Sequence, residues 1–261
     1  MTATAKATST RVRRNPAKTQ RVVFLGDIHV PHHDHKAVAL AVDFIRWFEP
    51  SHIYLIGDIV DFYALSRFDR DPTRMLSLQD ELDQCIAVLQ SIRKAAPKAD
   101  IAYRDGNHEH RLLRMLWQKP ELSPLKALQL AELLQFSAVG IKHFSYNSKL
   151  SHKGFLVEHG DIVRKGSAYT AAGMLDRRQV SGITGHTHRL GVHFRTDASG
   201  DKVWLENGCL CDRNPEYIIG EPNWQHGFTV GRWIESSQRF FVEQVPIVGH
   251  EILYHDSHWK A

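Results

Sequence analysis

Apolar runs alternate with polar and turn residues along the chain, and their spacing predicts alternating strands and helices. The short runs "VVFLG" (22–26), "HIYLIG" (52–57) and "DIAYRDG" (100–106) are typical of buried strands. Between them, the segments 35–49 and 76–96 repeat apolar residues at helical spacing. The first half therefore predicts a βαβα arrangement.

Two further helices are predicted at 109–118 and 124–136, and the pattern changes near Gly140 to short strands and turns. The later strand-like segments are "GFLVEHG", "VSGITG", "GVHFRT", "KVWLENG", "GFTVGRWI" and "RFFVEQVP". No internal repeat or long linker interrupts them. We therefore predict one domain over residues 21–261.

The composition indicates a globular protein but does not indicate an activity. Hydrophobic residues make up 43% and charged residues 24%, as in an ordinary globular protein. No apolar run is long enough to span a membrane, and residues 1–21 contain no apolar signal core. Three cysteines do not make a disulfide framework. These features predict a cytoplasmic protein with no membrane partner.

Residues 1–20 read as a disordered basic tail, because they combine Lys and Arg with Thr, Ser and Ala and lack acidic residues. Such a tail could touch nucleic acid or simply be solvated.

A glycine followed by polar, metal-binding residue types ends five of the predicted strands. The five segments are "VVFLGDIH", "HIYLIGDIVD", "AYRDGNHEH", "FLVEHGD" and "GITGHTH". Loops beyond the carboxyl ends of strands are where α/β sheets present functional side chains. We therefore expect these five loops to form one site.

The side chains in these loops form a coherent set of carboxylate, amide and imidazole ligands without thiolate. They are Asp27, His29, Asp58, Asn107, His159, His186 and His188. This set favours Mn²⁺, with Fe, Zn²⁺, Ni²⁺, Co²⁺ and Mg²⁺ as alternatives, over copper or iron–sulfur centres. Seven ligands exceed one tetrahedral ion and suit two divalent ions that share a carboxylate.

The order of these blocks resembles the calcineurin-like metallophosphoesterase superfamily. Its signature is D-x-H, G-D-x-x-D, G-N-H-[DE], a later H, and G-H-x-H, and all five blocks occur in order between Asp27 and His188. More narrowly, "GDIHVPHHD", "GNHEHRL" and "NWQHGF" are similar to members often encoded by phages. The resemblance implies an α/β (α+β) fold, a four-layer α/β/β/α sandwich of two facing mixed β-sheets flanked by helices.

The resemblance also implies a role for each motif residue. Asp27, His29 and His188 would bind the first metal ion, and Asp58 would bridge the two ions. Asn107, His159 and His186 would complete the second site. His108 would be the general acid, with Asp61 as its acidic partner.

The expected reaction is hydrolysis of a phosphodiester by metal-activated water, with His108 protonating the leaving oxygen. The phosphoester substrate would be a cyclic nucleotide or a nucleic acid (DNA or RNA). The alternatives are a phosphomonoesterase acting on nucleotides or phosphoproteins, and a non-catalytic scaffold. The sequence does not predict an oligomeric state.

Residues outside the ligand set suggest how substrate could be held. Arg111 and Arg189 could clamp phosphate. Phe62 stands where protein phosphatases of the superfamily carry an arginine, which argues against a phosphoprotein substrate and predicts an aromatic surface with Tyr63 near the pocket. Trp224 could stack a base or, as we favour, plug the edge of the sandwich.

Overall fold

The computed structural model describes residues 18–67, 69, 71–74, 76–214 and 220–261. Most of the basic segment 1–20 lies outside the described residues, and the first strand begins inside it, at Thr19. Tyr217, in the segment that includes Trp224, also lies outside them.

The described strands form a six-stranded sheet, a five-stranded sheet and a two-stranded hairpin. They are β1 (Thr19–Leu25), β2 (His52–Leu55), β3 (Asp100–Arg104), β4 (Ile141–Phe144), β5 (Ser151–His152), β6 (Phe155–Glu158), β7 (Gly182–Thr184), β8 (Leu190–Asp197), β9 (Gly200–Asn207), β10 (Gly227–Ile234), β11 (Arg239–Pro246), β12 (Glu251–Tyr254) and β13 (Ser257–Lys260).

The described helices fall mainly in the first half of the chain. They are α1 (His35–Phe48), α2 (Leu78–Ala95), α3 (Glu109–Trp117), α4 (Leu130–Leu133), α5 (Phe136–Val139) and α6 (Tyr169–Arg178), with 3₁₀ turns at Tyr63–Leu65, Pro72–Arg74 and Lys126–Leu128.

The six-stranded sheet has the order β11-β10-β1-β2-β3-β4, with β1 to β4 parallel and β10 and β11 antiparallel to their neighbours. The crossovers that connect β1 to β2 and β2 to β3 run through α1 and α2. Because the parallel strands follow chain order and crossovers are right-handed, both helices cover one face. The carboxyl ends of these strands therefore share one edge.

Alternation along β1 explains why this strand lies between two cores. Val23 and Leu25 point into the core under α1 and α2, whereas Val22 and Phe24 point into the core between the two large sheets. Every one of these side chains is 1% exposed or less. One strand thereby joins the helical layer to the sheet-on-sheet interface.

The five-stranded sheet, of order β5-β6-β7-β9-β8, supplies the other wall of the central core. Its outer face packs against α6, where the buried Trp204 of β9 contacts Met174 and Leu175. The order of layers is helices, sheet, sheet, helix. The predicted four-layer sandwich of two mixed sheets is confirmed.

One local prediction was wrong, and one helix was not predicted. The helix expected at 124–136 is broken into a 3₁₀ turn and short helical pieces, because Gln129 is extended (ψ 140°) and Gln135 is left-handed (φ 52°). Conversely, α6 interrupts the half of the chain that the pattern predicted as mostly strand.

Among the described residues, none of the helices combines the length and the apolar character that crossing a bilayer requires.

Candidate metal centre

The five motif loops meet at one edge of the sandwich, where the carboxyl ends of β1, β2, β3, β6 and β7 converge. Backbone hydrogen bonds join the first two loops: the Asp27 amide donates to the Gly57 carbonyl (3.0 Å) and the His29 amide to the Asp58 carbonyl (2.9 Å). The two facing sheets thus contribute to one site, as expected from the order of the motifs.

The first cluster contains Asp27, His29 and His188, all buried, with one ligand atom from each within 4.8 Å of the others. The His29 and His188 Nε2 atoms lie 3.0 Å apart, and His188 Nε2 lies 3.2 Å from Asp27 Oδ1. The His29 Nδ1 faces Asp61 Oδ2 at 3.0 Å. A carboxylate on Nδ1 leaves the Nε2 lone pair for a cation.

The second cluster contains Asp58, His159 and His186. The His159 Nε2 lies 3.2 Å from Asp58 Oδ2 and 2.9 Å from Asn107 Oδ1. Its Nδ1 donates to the Ile56 carbonyl at 3.0 Å, which leaves Nε2 as the inward-facing nitrogen. All four side chains that the resemblance assigns to the second metal site are therefore brought together.

Asp58 lies between the two clusters, in the position of a bridging ligand. Its Oδ2 is 3.2 Å from His159 Nε2 and 3.7 Å from His29 Nε2. One oxygen and two nitrogen atoms of these three residues thus face a common space. The donor set fits two divalent cations of the Mn²⁺, Fe or Zn²⁺ type.

Electrostatics at the centre favour a bound positive charge. Burial lowers the pKa of His159, but the negative charges of Asp58, Asp27 and Glu109 outweigh it and raise that pKa to about 9. Burial raises the pKa of Asp58, yet the surrounding imidazoles hold it well below its usual value. A cation among these groups would take the place of the proton on His159.

The backbone of the centre is strained at five candidate ligands. Their φ angles lie between 51° and 69°, in the left-handed region; they are Asp27, His29, Asp58, His186 and His188. The segment "GHTH" is therefore not extended at its two histidines. His186 and His188 still lie in different clusters, because the left-handed turns separate their rings.

Gly106 is required by the close packing of two loops. A Cβ atom at this position would lie 2.2 Å from Asp58 Oδ1. The absence of a side chain lets the third loop reach the bridging position.

Glu109 holds these loops together, although the sequence analysis assigned it no role. Its buried carboxylate accepts hydrogen bonds from the amides of Asp58 (3.0 Å), Ile59 (2.9 Å) and Gly106 (2.7 Å) and from the Tyr103 hydroxyl (2.6 Å). The only signal in the sequence was its place as the last residue of the G-N-H-[DE] block. Glu109 positions ligands without being one.

His108 lies beside the first cluster and is oriented by Asp61. Its Nδ1 donates to the Asp61 carbonyl at 2.9 Å and lies 3.3 Å from the Asp61 carboxylate, so Nε2 faces Asp58 Oδ2 at 3.8 Å. Burial lowers the pKa of His108, but Asp58 and Asp61 together raise it above its usual value. Asp61 also contacts His29, in addition to its predicted contact with His108.

The two candidate phosphate-binding arginines are placed differently. Arg111 donates to the Asp61 carboxylate at 3.1 Å, lies 3.2 Å from His108 Nε2 and lines the cavity beside the centre. Arg189 instead donates to the backbone carbonyls of Arg164 and Asn223 and does not line that cavity. The structure thus brings Arg111 to the centre and leaves Arg189 outside it.

A cavity of about 430 Å³ opens onto the centre beside His29, His108 and His188. Its wall includes Tyr63, whose hydroxyl accepts from the Asp71 amide at 2.7 Å. The wall also contains further polar and charged residues: His32, Asp69, Arg74, Cys211 and Asp212. The cavity is large enough for about one nucleotide-sized group.

The aromatic residues near the centre differ from expectation in two respects. Phe62 is fully buried in the core under the helices, so only Tyr63 of the pair faces the cavity. The partly buried Trp224 ring packs against the His188 ring, with centroids 4.2 Å apart, a contact that the sequence does not predict.

Comparison with known proteins gives two groups of similar chains. No family model matches the sequence. The Gene 54 proteins of Mycobacterium phages L5 and D29 are each 27% identical over 257 residues, which is 93% of this chain and 100% of theirs. Both are phage proteins, in keeping with the narrower resemblance described above.

Similar solved structures include several of Vps29. That of Cryptosporidium parvum is 12% identical with a TM-score of 0.47 (93% and 99% of the two chains), and that of Chaetomium thermophilum is 12% identical with a TM-score of 0.43 (87% and 97%). Vps29 of Entamoeba histolytica complexed with Zn²⁺ is 14% identical with a TM-score of 0.38 (87% and 99%). At these values the matches carry no inference about activity.

We predict that Glu109→Gln destabilises the protein by about 2–4 kcal/mol, because an amide group would replace an oxygen that accepts two hydrogen bonds from backbone amides. Urea denaturation in the presence of EDTA measures this change without a metal contribution. The exposed Glu132→Gln is the matched control and should change the free energy of unfolding by no more than about 0.5 kcal/mol. Equal stability of the two variants would contradict the role given to Glu109.

A pH-dependent prediction follows from Glu81, which accepts from the Ala64 amide at 3.0 Å and supports the turn that carries Tyr63. Burial raises its pKa to about 7 from 4.5. A raised pKa means that its stabilising contribution is present below pH 4.5 and is lost as the pH rises through 7. The stability of the wild type relative to Glu81→Gln should therefore fall between pH 5 and 8. A difference that stays constant over this range, as expected for the exposed Glu121→Gln, would refute it.

Proposed function

We propose that this protein is a dinuclear metal-dependent phosphodiesterase of the calcineurin-like metallophosphoesterase superfamily. The observation that carries the proposal is the convergence of two ligand clusters on Asp58, with His108 beside them. Seven residues from five separate loops contribute. The five motifs in their order support the superfamily assignment.

The ligands of each ion follow from the two clusters. Asp27, His29 and His188 would hold one ion, Asn107, His159 and His186 the other, and Asp58 would contact both. When bound, two divalent cations supply Lewis acidity that activates water and neutralises charge on the phosphoryl group. The side chains of the protein would position the substrate and supply the proton for the leaving group.

His108 would deliver the proton that the leaving oxygen needs. Its Nδ1 is kept in place by Asp61, so Nε2 is the atom that can deliver a proton toward the centre. In this structure Nε2 accepts a hydrogen bond from Arg111. Protonation at Nε2 therefore requires Arg111 to turn away, and a bound phosphate oxygen is the natural acceptor for its guanidinium.

Two features favour a diester over a phosphoprotein. The position directly after the G-D-x-x-D block holds the buried Phe62, so no arginine side chain is supplied there. The cavity beside His108 provides room and an aromatic wall for the group that leaves with the oxygen. A cyclic nucleotide or the phosphodiester of a nucleic acid meets this description.

The purified chain should hydrolyse bis(p-nitrophenyl) phosphate faster than p-nitrophenyl phosphate. EDTA should abolish both rates, and Mn²⁺ should restore them, because activation of the attacking water depends on the bound divalent cations. Release of p-nitrophenolate measures all four rates. A faster reaction with the monoester would identify a phosphomonoesterase instead. If protein shown to carry two metal ions hydrolysed neither substrate, the enzymatic proposal would be wrong and a scaffold role would remain.

His108→Ala should retain both metal ions and lose activity by on the order of 10²–10⁴-fold, because it removes a proton donor rather than a ligand. Metal content by elemental analysis and the rate on the diester are measured together. His110→Ala, two residues along on α3, is the control and should keep its rate, since its ring packs on Trp117 away from the centre. A His108→Ala chain as active as this control would exclude a general-acid role for His108.

A further inference from the structure

A second group of metal-binding residue types lies behind the centre and is used by no step above. Asp34, His226 and His250 come from the loop before α1, the residue before β10 and the turn before β12. One ligand atom of each lies within 4.8 Å of the others. Asp34 Oδ2 is 2.8 Å from His250 Nε2 and 4.0 Å from His226 Nδ1.

The orientation of His226 is the one that protein metal ligands adopt. Its Nε2 donates to the Cys211 carbonyl at 2.7 Å, so this nitrogen carries the hydrogen and Nδ1 carries the lone pair. That lone pair faces a carboxylate oxygen, which is also an acceptor. A backbone carbonyl on one ring nitrogen and an open lone pair on the other is the usual arrangement around a ligating histidine.

Asp34 uses one oxygen to cap a helix and pairs the other with His250. Its Oδ1 caps α1 by accepting from the Ala37 amide at 2.9 Å, which fixes the carboxylate and turns Oδ2 toward both histidines. His226 is buried, with 4% of its surface exposed, whereas Asp34 and His250 are partly exposed. The group is therefore rigid on its inner side and open to solvent on its outer side.

We propose that Asp34, His226 and His250 form a third metal site, of the Zn²⁺ type. Two imidazoles and one carboxylate are a common zinc ligand set, with water in the fourth position. The site shares no ligand with either cluster of the metal centre. It clips the C-terminal hairpin of β12 and β13 to the cap of α1.

One residue, Cys211, contacts both the third site and the metal centre. The Cys211 carbonyl holds His226, while the Cys211 thiol lies 3.7 Å from Nδ1 of His188. Zinc at Asp34, His226 and His250 would therefore fix the strand segment against which the first cluster packs.

The test counts zinc on the full chain. A chelator first removes bound metal from three proteins: the wild type, His250→Ala and His258→Ala. Each protein is then saturated with Zn²⁺, and gel filtration removes the unbound zinc. Elemental analysis gives the number of zinc ions per chain. His258 lies on the same hairpin and pairs with Glu251, so its variant is the matched control. We expect His250→Ala to bind one zinc fewer than the wild type and His258→Ala to bind the same number.

Asp34→Asn separates metal binding from folding, because asparagine caps a helix as well as aspartate does. Competition with a chromophoric chelator should show that it weakens the third zinc by at least about 10-fold, the lower end of the cost of altering a ligand environment. Circular dichroism checks that each variant is folded.

Equal zinc counts in His250→Ala and His258→Ala would overturn the proposal and leave a hydrogen-bonded helix cap. The result does not depend on the phosphodiesterase proposal. A chain whose metal centre bound nothing would still show a difference of one zinc between these two variants.

Discussion

The burial of three carboxylates at the meeting point of two sheets is the constraint on which the rest of this structure depends. Asp27, Asp58 and Asp61 are at most 6% exposed. Ionised carboxylates in such a place must be compensated by hydrogen bonds and positive charge. The histidines and backbone amides around them meet this need in part, and divalent cations would meet the remainder. The strained loops, the glycine contact and the Glu109 network all serve to hold these three groups in place.

Much of the fold and of the site could be predicted, because the relevant signals are local. Strands such as β1 and β2 are recognisable in the sequence as short apolar runs, and the candidate ligands follow directly after them in the chain. Since parallel strands share the direction of their carboxyl ends, consecutive motifs meet without any knowledge of distant contacts. For this reason the sequence predicts the candidate ligands that the structure brings together.

The features that the sequence did not reveal depend on distant contacts or on backbone conformation. The helical pattern of 124–136 is real, but two glutamines leave the helical region and divide it. Arg189 lies next to a candidate ligand in sequence, yet the carbonyls of Arg164 and Asn223 draw its guanidinium away. The sequence does not predict the role of Glu109, because the amides of Asp58 and Ile59 that it binds belong to a loop about fifty residues earlier.

The left-handed conformation of five candidate ligands has a consequence for how such a centre can change over evolutionary time. Asp, Asn and His are the non-glycine residues that tolerate positive φ best, and they are also oxygen and nitrogen ligands. The left-handed backbone conformation and the requirement for metal ligands therefore favour the same few residue types at these positions. A descendant that lost its metals would keep this loop geometry most easily through Asn or Gly. Replacement by a β-branched residue would remove the ligand and the fold of the loop together.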